Sequence, residues 1–286
     1  MKYIANATMP LLEALVLISP QSSKNTLKSW IKEGRVHIDD EQAKNSSILL
    51  SKGQTVTVGH KKKILQSGIP IIFEDDDLVI IDKPSGLLSV STAFEKGETA
   101  HAILKKHYHP RKIFVVHRLD QDTSGVMVFA LNQRTFEKLK ELFAAHEIER
   151  AYTAVVEGQI TKESGSWQSY MVEDKQYVVH ETNDEEEGQC AISHYKTIGK
   201  SKLYSCLEVT LETGRKNQIR VHCESAGHPV VGDKKYGAHS NPIKRLGLHA
   251  HLLAFKHPST KKKLRFESEV PKDFYRLVPA ANKNGN

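Results

Sequence analysis

Residues 113–131 read IFVVHRLDQDTSGVMVFAL, so an arginine and two aspartates stand between two runs of apolar residues that favour strands. Burying a charge costs free energy unless the charge is paired or used. Because side chains alternate between the two faces of a strand, we predict a strand that places Arg118 and Asp120 on one face. His117 and Leu119 then lie on the other face, and Asp120 comes at the end of the strand, where catalytic groups are often presented.

These charged residues have a purely structural explanation when they are considered alone. Arg118 and Asp120 can form a local ion pair, and Asp122 can cap the turn that residues 123–125 are expected to form. An isolated Arg-x-Asp pair is therefore not evidence of a catalytic site. Its interpretation depends on the rest of the chain.

Two later segments carry polar residues of the kind found in catalytic sites. Residues 149–158, ERAYTAVVEG, alternate as a strand does, with Tyr152 on one face. Residues 211–237, LETGRKNQIRVHCESAGHPVVGDKKYG, predict a turn and then a short helix that carries Arg220 and ends at Gly227. Taken singly, the tyrosine is explained as a cross-strand aromatic residue and the arginine as a surface residue of a helix.

Length and composition limit the class of protein. The chain of 286 residues suits one large domain with a small one, and 39% hydrophobic with 26% charged residues indicates a globular fold. The net charge of +7 fits a nucleic-acid partner without being specific for one. Three scattered cysteines and the lack of a segment that could span a bilayer predict a cytoplasmic protein with no membrane partner, and no histidine or cysteine spacing indicates a metal site.

The chain is predicted to contain two domains, residues 1–60 and 71–286, joined by a linker at residues 61–70. In the first domain, PLLEALVLI and SSKNTLKSWIKEG predict two helices, the second of which ends at Gly34, and RVHID and QTVTVG predict short strands. The second domain mixes short strands and helices without a regular strand–helix–strand repeat. This pattern favours an α+β fold.

The second helix of the first domain has an apolar stripe and a basic side. The basic side includes Lys28, Lys32 and Arg35, and taken alone it is better explained as a solvated helix face. The domain nevertheless resembles the S4 RNA-binding domain, through IKEGRVHID and KGQTVTV. The resemblance implies a small α/β module that contacts RNA through these three residues. Asp39 and Asp40 stand where that family often has Asn-Gly, and two acids weaken the basic surface at this turn.

From about residue 70 to residue 279 the chain closely resembles the RluA-type pseudouridine synthases. DDLVIIDKPSGL resembles the first motif of that family, HRLDQDTSG matches its central motif, ERAYTAVVEG resembles its Lys-x-Tyr strand, and GRKNQIRVH with GHPVVGDKKYG resembles its last motif. The resemblance implies the pseudouridine synthase fold, a mixed and mainly antiparallel sheet with flanking helices. It also implies the isomerisation of uridine in RNA to pseudouridine without a metal, nucleotide or flavin cofactor.

The same resemblance implies a role for each matching residue. Asp120 would be the essential carboxylate, which either attacks C1′ of the ribose or acts on the sugar to give a glycal-like intermediate. Tyr152 would stack on the target uracil and is the candidate base for the C5 proton. Arg220 would pair with Asp120 and orient it. Arg118 would fill the space that the nucleotide leaves when it flips out of its helix, and Ile219 would pack against the flipped base.

His117 and Thr123, which also belong to the central motif, are predicted to be substrate-binding residues. Two positions depart from the family pattern. Arg150 stands where the family usually has lysine, and Asn217 stands where it usually has histidine. The first change keeps the charge but alters its geometry, and the second replaces a titratable ring with an amide.

The choice of substrate also follows from the resemblance. Family members with an S4 domain mostly act on large-subunit ribosomal RNA, so ribosomal RNA is the expected partner, with transfer RNA as the alternative. Two other classes stay open, an RNA-binding or ribosome-assembly protein whose site is idle and a hydrolase of nucleosides. A monomer is the expected state.

Overall fold

The protein is described from a computed structural model that covers residues 1–39, 41–59, 63–65, 67–91, 97–279 and 281. The chain divides into two compact units, Met1–Lys63 and Ile64–Asn286. Each unit has a hydrophobic core of its own. Within the described ranges, no helix combines the length and the apolar character that crossing a membrane would require.

The first unit is a small α/β module. Its elements are β1 (Lys2–Ile4), β2 (Met9–Pro10), α1 (Leu11–Ile18), α2 (Lys24–Lys32), β3 (Val36–Ile38), β4 (Glu41–Gln42), β5 (Leu49–Leu50) and β6 (Thr55–Val58). An antiparallel sheet runs in the order β1-β6-β3-β4, and β2 pairs with β5. The two helices and the sheet share one core, because Leu11, Leu27 and Val56 are fully buried in the same cluster.

Local sequence accounts for the limits of α2. The Ser23 hydroxyl accepts a hydrogen bond from the backbone N–H of Thr26, which caps the start of the helix. Gly34 lies just beyond its end with a φ of 70°, as predicted. Asp39 also has a positive φ, and its carboxylate accepts hydrogen bonds from the Thr55 N–H and the Gln54 side chain. Asp40, the other acid of this turn, lies outside the described residues.

The second unit is built on one twelve-stranded sheet. Its elements are β7 (Lys63–Ile64), β8 (Pro70–Glu74), β9 (Leu78–Lys83), α3 (Ala100–His107), β10 (Phe114–Val115), β11 (Ser124–Ala130), α4 (Gln133–Ala144), β12 (Glu149–Glu157), β13 (Ser164–Glu173), β14 (Val179–Thr182), β15 (Gln189–Lys200), β16 (Tyr204–Leu211), α5 (Gln218–Ser225), a 3₁₀ turn (Lys234–Tyr236), β17 (Leu248–Lys256), β18 (Lys263–Glu267) and α6 (Lys272–Leu277). The main order is β14-β13-β15-β16-β12-β17-β11-β9-β8-β7, while β10 pairs with β11 and β18 pairs with β17. The predicted mixed sheet with flanking helices is confirmed.

The sheet is covered on both faces, which explains the continuous apolar run of β11. Met127 and Phe129 of β11 belong to one core cluster, with Leu104 of α3, whereas Val126 and Val128 belong to another, with Leu139 of α4. A strand that packs against two layers has no solvated face and therefore shows no alternation of apolar and polar residues.

One parallel pairing joins the two halves of the sheet, where Ser124 and Gly125 of β11 lie beside His249 and Ala250 of β17. Gly125 has a φ of 119°, and a Cβ there would lie 2.1 Å from the Ala250 carbonyl oxygen. Only glycine therefore fits at the end of the central motif. Ser124 Oγ also lies 2.7 Å from His249 Nδ1 and accepts a hydrogen bond from Arg245 Nη2 at the same distance.

The boundary between the two units falls between Lys63 and Ile64, inside the predicted linker at residues 61–70. Leu65 and Ile69 are buried in the core of the second unit, and β8 begins at Pro70. Residues 60–62 and 66 lie outside the described residues. The strand expected through Asp120 is wrong, since β10 ends at Val115 and β11 begins at Ser124.

The second unit is expected to lose stability in mild acid because it buries neutral histidines. Burial lowers the pKa of His117 to about 3, helped by the charge of Arg150, and burial lowers the pKa of His249 to about 3. In the unfolded chain both titrate near pH 6.5, so below that pH the unfolded state binds more protons than the folded state. The free energy of unfolding should therefore fall by about 1.4 kcal/mol per pH unit for each histidine between pH 6.5 and about 3.

Urea unfolding followed by circular dichroism at a series of pH values measures this slope. His117→Gln is the matched variant, since glutamine keeps a hydrogen-bond acceptor but does not titrate. This variant should reduce the slope of the free energy of unfolding against pH, below pH 6, by about 1.4 kcal/mol per pH unit, which is the contribution of one proton. An unchanged slope would show that His117 is not a buried neutral group.

Candidate active site

A single cleft of about 900 Å³ in the second unit brings the sequence-predicted site residues together. Its lining includes Asp120, Tyr152, Arg220, Arg118, Ile219, His117 and Thr123. These residues come from the β10–β11 segment, from β12 and from α5, which are far apart in the chain. Only the folded sheet places them in one site.

Asp120 lies in an irregular segment whose backbone is held by side chains. Ser89 Oγ accepts a hydrogen bond from the Leu119 N–H and donates one to the Leu119 carbonyl oxygen. Leu119 itself is buried in the core, and the Thr123 N–H donates to the Asp120 carbonyl oxygen at 3.2 Å. With both neighbours fixed, the Asp120 carboxylate points into the cleft with its side chain 29% exposed.

A fully buried lysine, Lys83, supports this segment from beneath. Its ammonium group donates to the carbonyl oxygens of Pro84 at 3.0 Å, Leu87 at 2.6 Å and Gln121 at 2.8 Å. Burial lowers the pKa of Lys83 to about 8, against the opposing effect of the Asp120 charge. Sequence reasoning missed this residue, because a lysine that ends a strand resembles a surface residue. The signal was its place in VIIDKPSG, directly after four buried residues and an aspartate.

Arg220 lies between two carboxylates. It makes a bidentate ion pair with Asp233, with Nε–Oδ2 at 2.6 Å and Nη2–Oδ1 at 2.8 Å. Its Nη1 donates to Asp120 Oδ2 at 3.3 Å. Asp233 is buried, and it was not identified from the sequence although it belongs to the GHPVVGDKKYG motif.

The guanidinium of Arg220 is a fixed positive charge. Burial alone would lower its pKa, but the hydrogen bonds and charges of Asp233 and Asp120 outweigh that effect and raise the pKa. Its Cζ also lies 4.8 Å from the ring centroid of Tyr236, a favourable distance for a cation over an aromatic face. Asp120 therefore faces a cation that a second, deeper carboxylate holds in place.

Asn217 connects this arrangement to the start of α5. Its Oδ1 accepts a hydrogen bond from Arg220 Nη1 at 3.1 Å, and its Nδ2 donates to the Tyr236 hydroxyl at 2.9 Å. Its φ is 55°, a conformation that asparagine adopts more readily than most residues. An amide supplies one acceptor and one donor here without titrating. This position, where the family usually has histidine, thus has a defined structural role in this chain.

Tyr152 lies on β12 beside a bulge between Ala151 and Tyr152 in the pairing with β17. Its side chain lines the cleft, although Tyr152 is only 9% exposed. Burial raises the pKa of Tyr152, the charge of Arg150 opposes the shift and that of Asp120 adds to it. The hydroxyl is therefore protonated at neutral pH before any substrate binds. Ile219, also buried, lines the same cleft.

Arg150 fits its position through geometry that lysine does not share. Its Cζ lies 5.6 Å from the ring centroid of Phe143, and its Nη2 is 3.4 Å from the carbonyl oxygens of Glu212 and Thr213. Gly214 leaves room for the guanidinium, because a Cβ there would lie 2.6 Å from Arg150 Nη1. The planar group thus packs between an aromatic ring and a turn.

The remaining residues of the central motif differ in how they meet the cleft. Arg118 is exposed, and the buried Thr123 Oγ1 has no hydrogen-bond partner among the described residues. The ring of His117 serves the fold, because its Nε2 accepts a hydrogen bond from the Val128 N–H at 3.1 Å and the ring stacks on Phe143. His117 also lines the cleft, and its contact with substrate stays a prediction.

Two of the three basic residues predicted on α2 or just after it are open to solvent. Lys28 and Lys32 are exposed. Arg35 lies with its Cζ 4.8 Å from the ring centroid of Trp30, and its Nε donates to the Gly59 carbonyl oxygen at 3.0 Å. Its side chain is only 13% exposed, and its contact with RNA stays a prediction.

The cleft carries a strong imbalance of charge. Its cationic side chains are Arg118, Lys140, Arg150, Arg215, Lys216, Arg220 and Lys235, and its one carboxylate among the described lining residues is Asp120. Such a surface attracts a polyanion and places a single acid within it. Among the described residues no cluster of three or more histidine, cysteine or acidic side chains could hold a metal ion.

Comparison with known proteins gives a consistent result. Residues 77–225 match the family described as RNA pseudouridylate synthase. The chain is 32% identical to the uncharacterized RNA pseudouridine synthase YhcT of Bacillus subtilis, over 90% of this chain and 88% of that protein. It is also 32% identical to ribosomal large subunit pseudouridine synthase D of Pseudomonas aeruginosa, over 91% of this chain and 88% of that protein.

A solved structure has the same fold over most of this chain. The structure of human RNA pseudouridylate synthase domain containing 4 superposes with a TM-score of 0.61 at 22% identity, over 74% of this chain and 92% of that one. At that level of identity the similarity concerns the fold alone.

Removing Asp233 should destabilise the second unit. Asp233→Ala leaves the buried Arg220 guanidinium without its bidentate partner, and loss of one member of a buried pair typically costs about 3–5 kcal/mol. Glu141→Ala is the control, since its pair with Lys138 at 2.7 Å is exposed and should contribute about 0.5 kcal/mol. Urea unfolding of both variants makes the comparison. Equal effects would mean that the Arg220–Asp233 pair is not important for the fold.

Proposed function

The chain belongs to the RluA-type family of RNA pseudouridine synthases, which are isomerases that act on RNA, and we propose that it converts specific uridines of large-subunit ribosomal RNA to pseudouridine. The observation that carries the proposal is the single carboxylate, Asp120, facing Arg220 in an otherwise cationic cleft. The choice of ribosomal RNA is supported by relatives from Pseudomonas aeruginosa and Xanthomonas campestris that are named ribosomal large subunit pseudouridine synthase D and are each 32% identical to this chain.

The reaction breaks the N1–C1′ bond of a uridine and joins C5 to C1′, while a proton leaves C5 and one is gained at N1. Cleavage develops positive charge on the sugar, so a carboxylate beside C1′ lowers the barrier whether it bonds to the sugar or assists proton removal. We assign this role to Asp120. Arg220, held by Asp233, orients the carboxylate through its hydrogen bond at 3.3 Å.

The uracil lies between Tyr152 and Ile219 in this proposal, because both side chains line the cleft near Asp120. The ring of Tyr152 supports the uracil by stacking, and its hydroxyl is the candidate acceptor of the C5 proton. Because burial raises the pKa of Tyr152, that second role requires the hydroxyl to lose its proton first. Thr123, whose hydroxyl has no partner in the described part of the chain, is a candidate donor to the nucleotide.

Arg118 is suited to fill the space that the flipped nucleotide leaves in the RNA helix. A base inside a helix has to leave the stack before its glycosidic bond can react, and an arginine side chain can occupy the vacated space. Arg118 is exposed and lines the same cleft as Asp120.

Transfer RNA is the second candidate substrate, since the same cleft would accept any flipped uridine. The contact of Arg220 with both carboxylates argues against an idle site.

We further propose that the first unit is an S4-like module that adds affinity for RNA. The motifs of the sequence and the arrangement of two helices on a small sheet support this assignment. Lys28, Lys32 and Arg35 are its candidate phosphate contacts, although Arg35 also donates a hydrogen bond to the Gly59 carbonyl oxygen within the unit. The functional division of the chain then falls close to residues 60–70. We also propose that the protein is a monomer and that it acts in the cytoplasm.

Asp120→Asn tests the reaction directly. The amide keeps the size of the side chain but removes the charge, so isomerisation should fall by at least about 100-fold, while the affinity for RNA stays within a few-fold. The measurement is tritium release from unmodified ribosomal RNA that carries C5-labelled uridine. Asp122→Asn is the control, since Asp122 is exposed, lies two residues away and loses the same charge. This variant should stay active. Tritium release by Asp120→Asn at the native rate would refute the assignment.

The proposed role of the first unit predicts a change in salt dependence. Replacing Lys28 and Lys32 together by alanine should weaken RNA binding and reduce the slope of log affinity against log salt by about 0.7 for each lost phosphate contact. Fluorescence anisotropy with a labelled ribosomal RNA fragment measures the slope. Lys52→Ala, an exposed lysine of the same unit, is the control. A slope equal to that of the native protein would show that α2 does not contact phosphates.

A further inference from the structure

The aromatic side chain of Tyr177 is exposed to solvent. It is 56% exposed, and no other phenylalanine, tyrosine or tryptophan in the described ranges is classed as exposed. Its φ is 62°, a left-handed conformation that is unusual for a bulky residue and is normally left to glycine or asparagine. More than half of the Tyr177 side chain is therefore accessible to a ligand that reaches this turn.

The turn that carries Tyr177, residues 174–178, is fixed by its own hydrogen bonds. The Asp174 carboxylate accepts hydrogen bonds from the N–H groups of Gln176 and Val178, each at 2.8 Å, and lies 3.0 Å from His180 Nε2. The Tyr177 N–H donates to the Asp174 carbonyl oxygen at 3.0 Å, and the Asp174 N–H donates to Val178 at 2.8 Å. The ring is therefore presented on a rigid support, which limits the entropy lost when a ligand stacks on it.

Two lysines connect this turn to the cleft. The carbonyl oxygen of Tyr177 accepts hydrogen bonds from Lys216 Nζ at 3.2 Å and from Lys235 Nζ at 3.3 Å. Both lysines line the cleft that contains Asp120. Lys216 Nζ also lies 5.9 Å from the centroid of the Tyr177 ring and pairs with Glu173. The turn that carries Tyr177 thus lies next to two cations of the cleft, and Lys216 is also near the ring.

We propose that Tyr177 is a stacking platform for an unpaired base next to the target uridine, and that Lys235 and Lys216 approach the adjoining phosphate. This inference rests on the proposed function, since it concerns the same cleft and the same RNA. An unpaired base offers a flat face to an aromatic ring whatever its identity, and each such stack is worth about 1–3 kcal/mol. A rigid ring beside ammonium groups matches a nucleotide, which combines a flat base with a negative charge.

The test separates stacking from charge. Tyr177→Asn removes the ring, and asparagine tolerates the left-handed backbone, so the turn should keep its shape. For a fluorescein-labelled oligouridylate, anisotropy should show a dissociation constant raised by about 5- to 100-fold, with an unchanged salt slope because no phosphate contact is lost. Tyr177→Phe should bind within twofold of the native protein. Lys235→Met should instead reduce the slope.

Leu203→Asn is the matched control, since Leu203 is 63% exposed and lies in the turn between β15 and β16. It should bind oligouridylate as the native protein does. In tritium release from ribosomal RNA, Tyr177→Asn should raise KM and leave kcat unchanged, because the platform lies outside the reacting centre. Circular dichroism checks that each variant is folded.

The possible outcomes are distinct. Native affinity and native KM for Tyr177→Asn would overturn the platform. An equal loss in Tyr177→Phe would also overturn it, since the ring alone would not be responsible. The absence of tritium release by the native protein on any RNA would defeat the proposed function, while the oligouridylate measurement would still decide whether Tyr177 stacks on a base.

Discussion

The guanidinium of Arg220 is the element on which the rest of the site depends. Asp233 holds it from the protein interior with two short hydrogen bonds, and Asp120 meets it from the cleft at 3.3 Å. A buried cation of this kind requires a carboxylate for stability, and the same cation then offers its remaining donor to the proposed catalytic group. Stability and the proposed reaction therefore use one side chain, with the Asp233 pair serving the first and the proposed role of Asp120 the second.

A second buried cation supports the site from the other side. Lys83 binds three backbone carbonyl oxygens and so fixes the segment that follows Asp120. The segment around Asp120 has no strand partner, and the carbonyl oxygens of Leu119, Gln121 and Asp122 are paired by Ser89, Lys83 and Ser85 instead of by a sheet. This arrangement lets a charged, irregular segment lie next to a fully buried strand with these carbonyl oxygens paired.

Local features of this protein could be predicted from its sequence, and long-range contacts could not. The cap of α2 at Ser23 and the helix stops at Gly34 and Gly227 depend on neighbouring residues alone. Asp233 was missed because a short motif does not show which side chains meet, and its partner Arg220 lies in another motif. Lys83 was missed because a lysine at the end of a strand resembles a surface residue. The strand expected through Asp120 was wrong because alternating apolar and charged residues predict a strand even where side chains bind the backbone. The resemblance to a family supplied the candidate residues, whereas the structure supplied their contacts.

The parallel pairing of β11 with β17 has a consequence for how the chain folds during its synthesis on the ribosome. Ser124 and His249 are separated by 125 positions, so β11 is synthesised long before the strand that completes its surroundings. Until β17 emerges, one edge of β11 near the Asp120 segment lacks its partner, and such an edge can pair with another chain. The pair between Arg220 and Asp120 spans 100 positions and also forms late. The cleft can therefore be completed only after β17 has been synthesised.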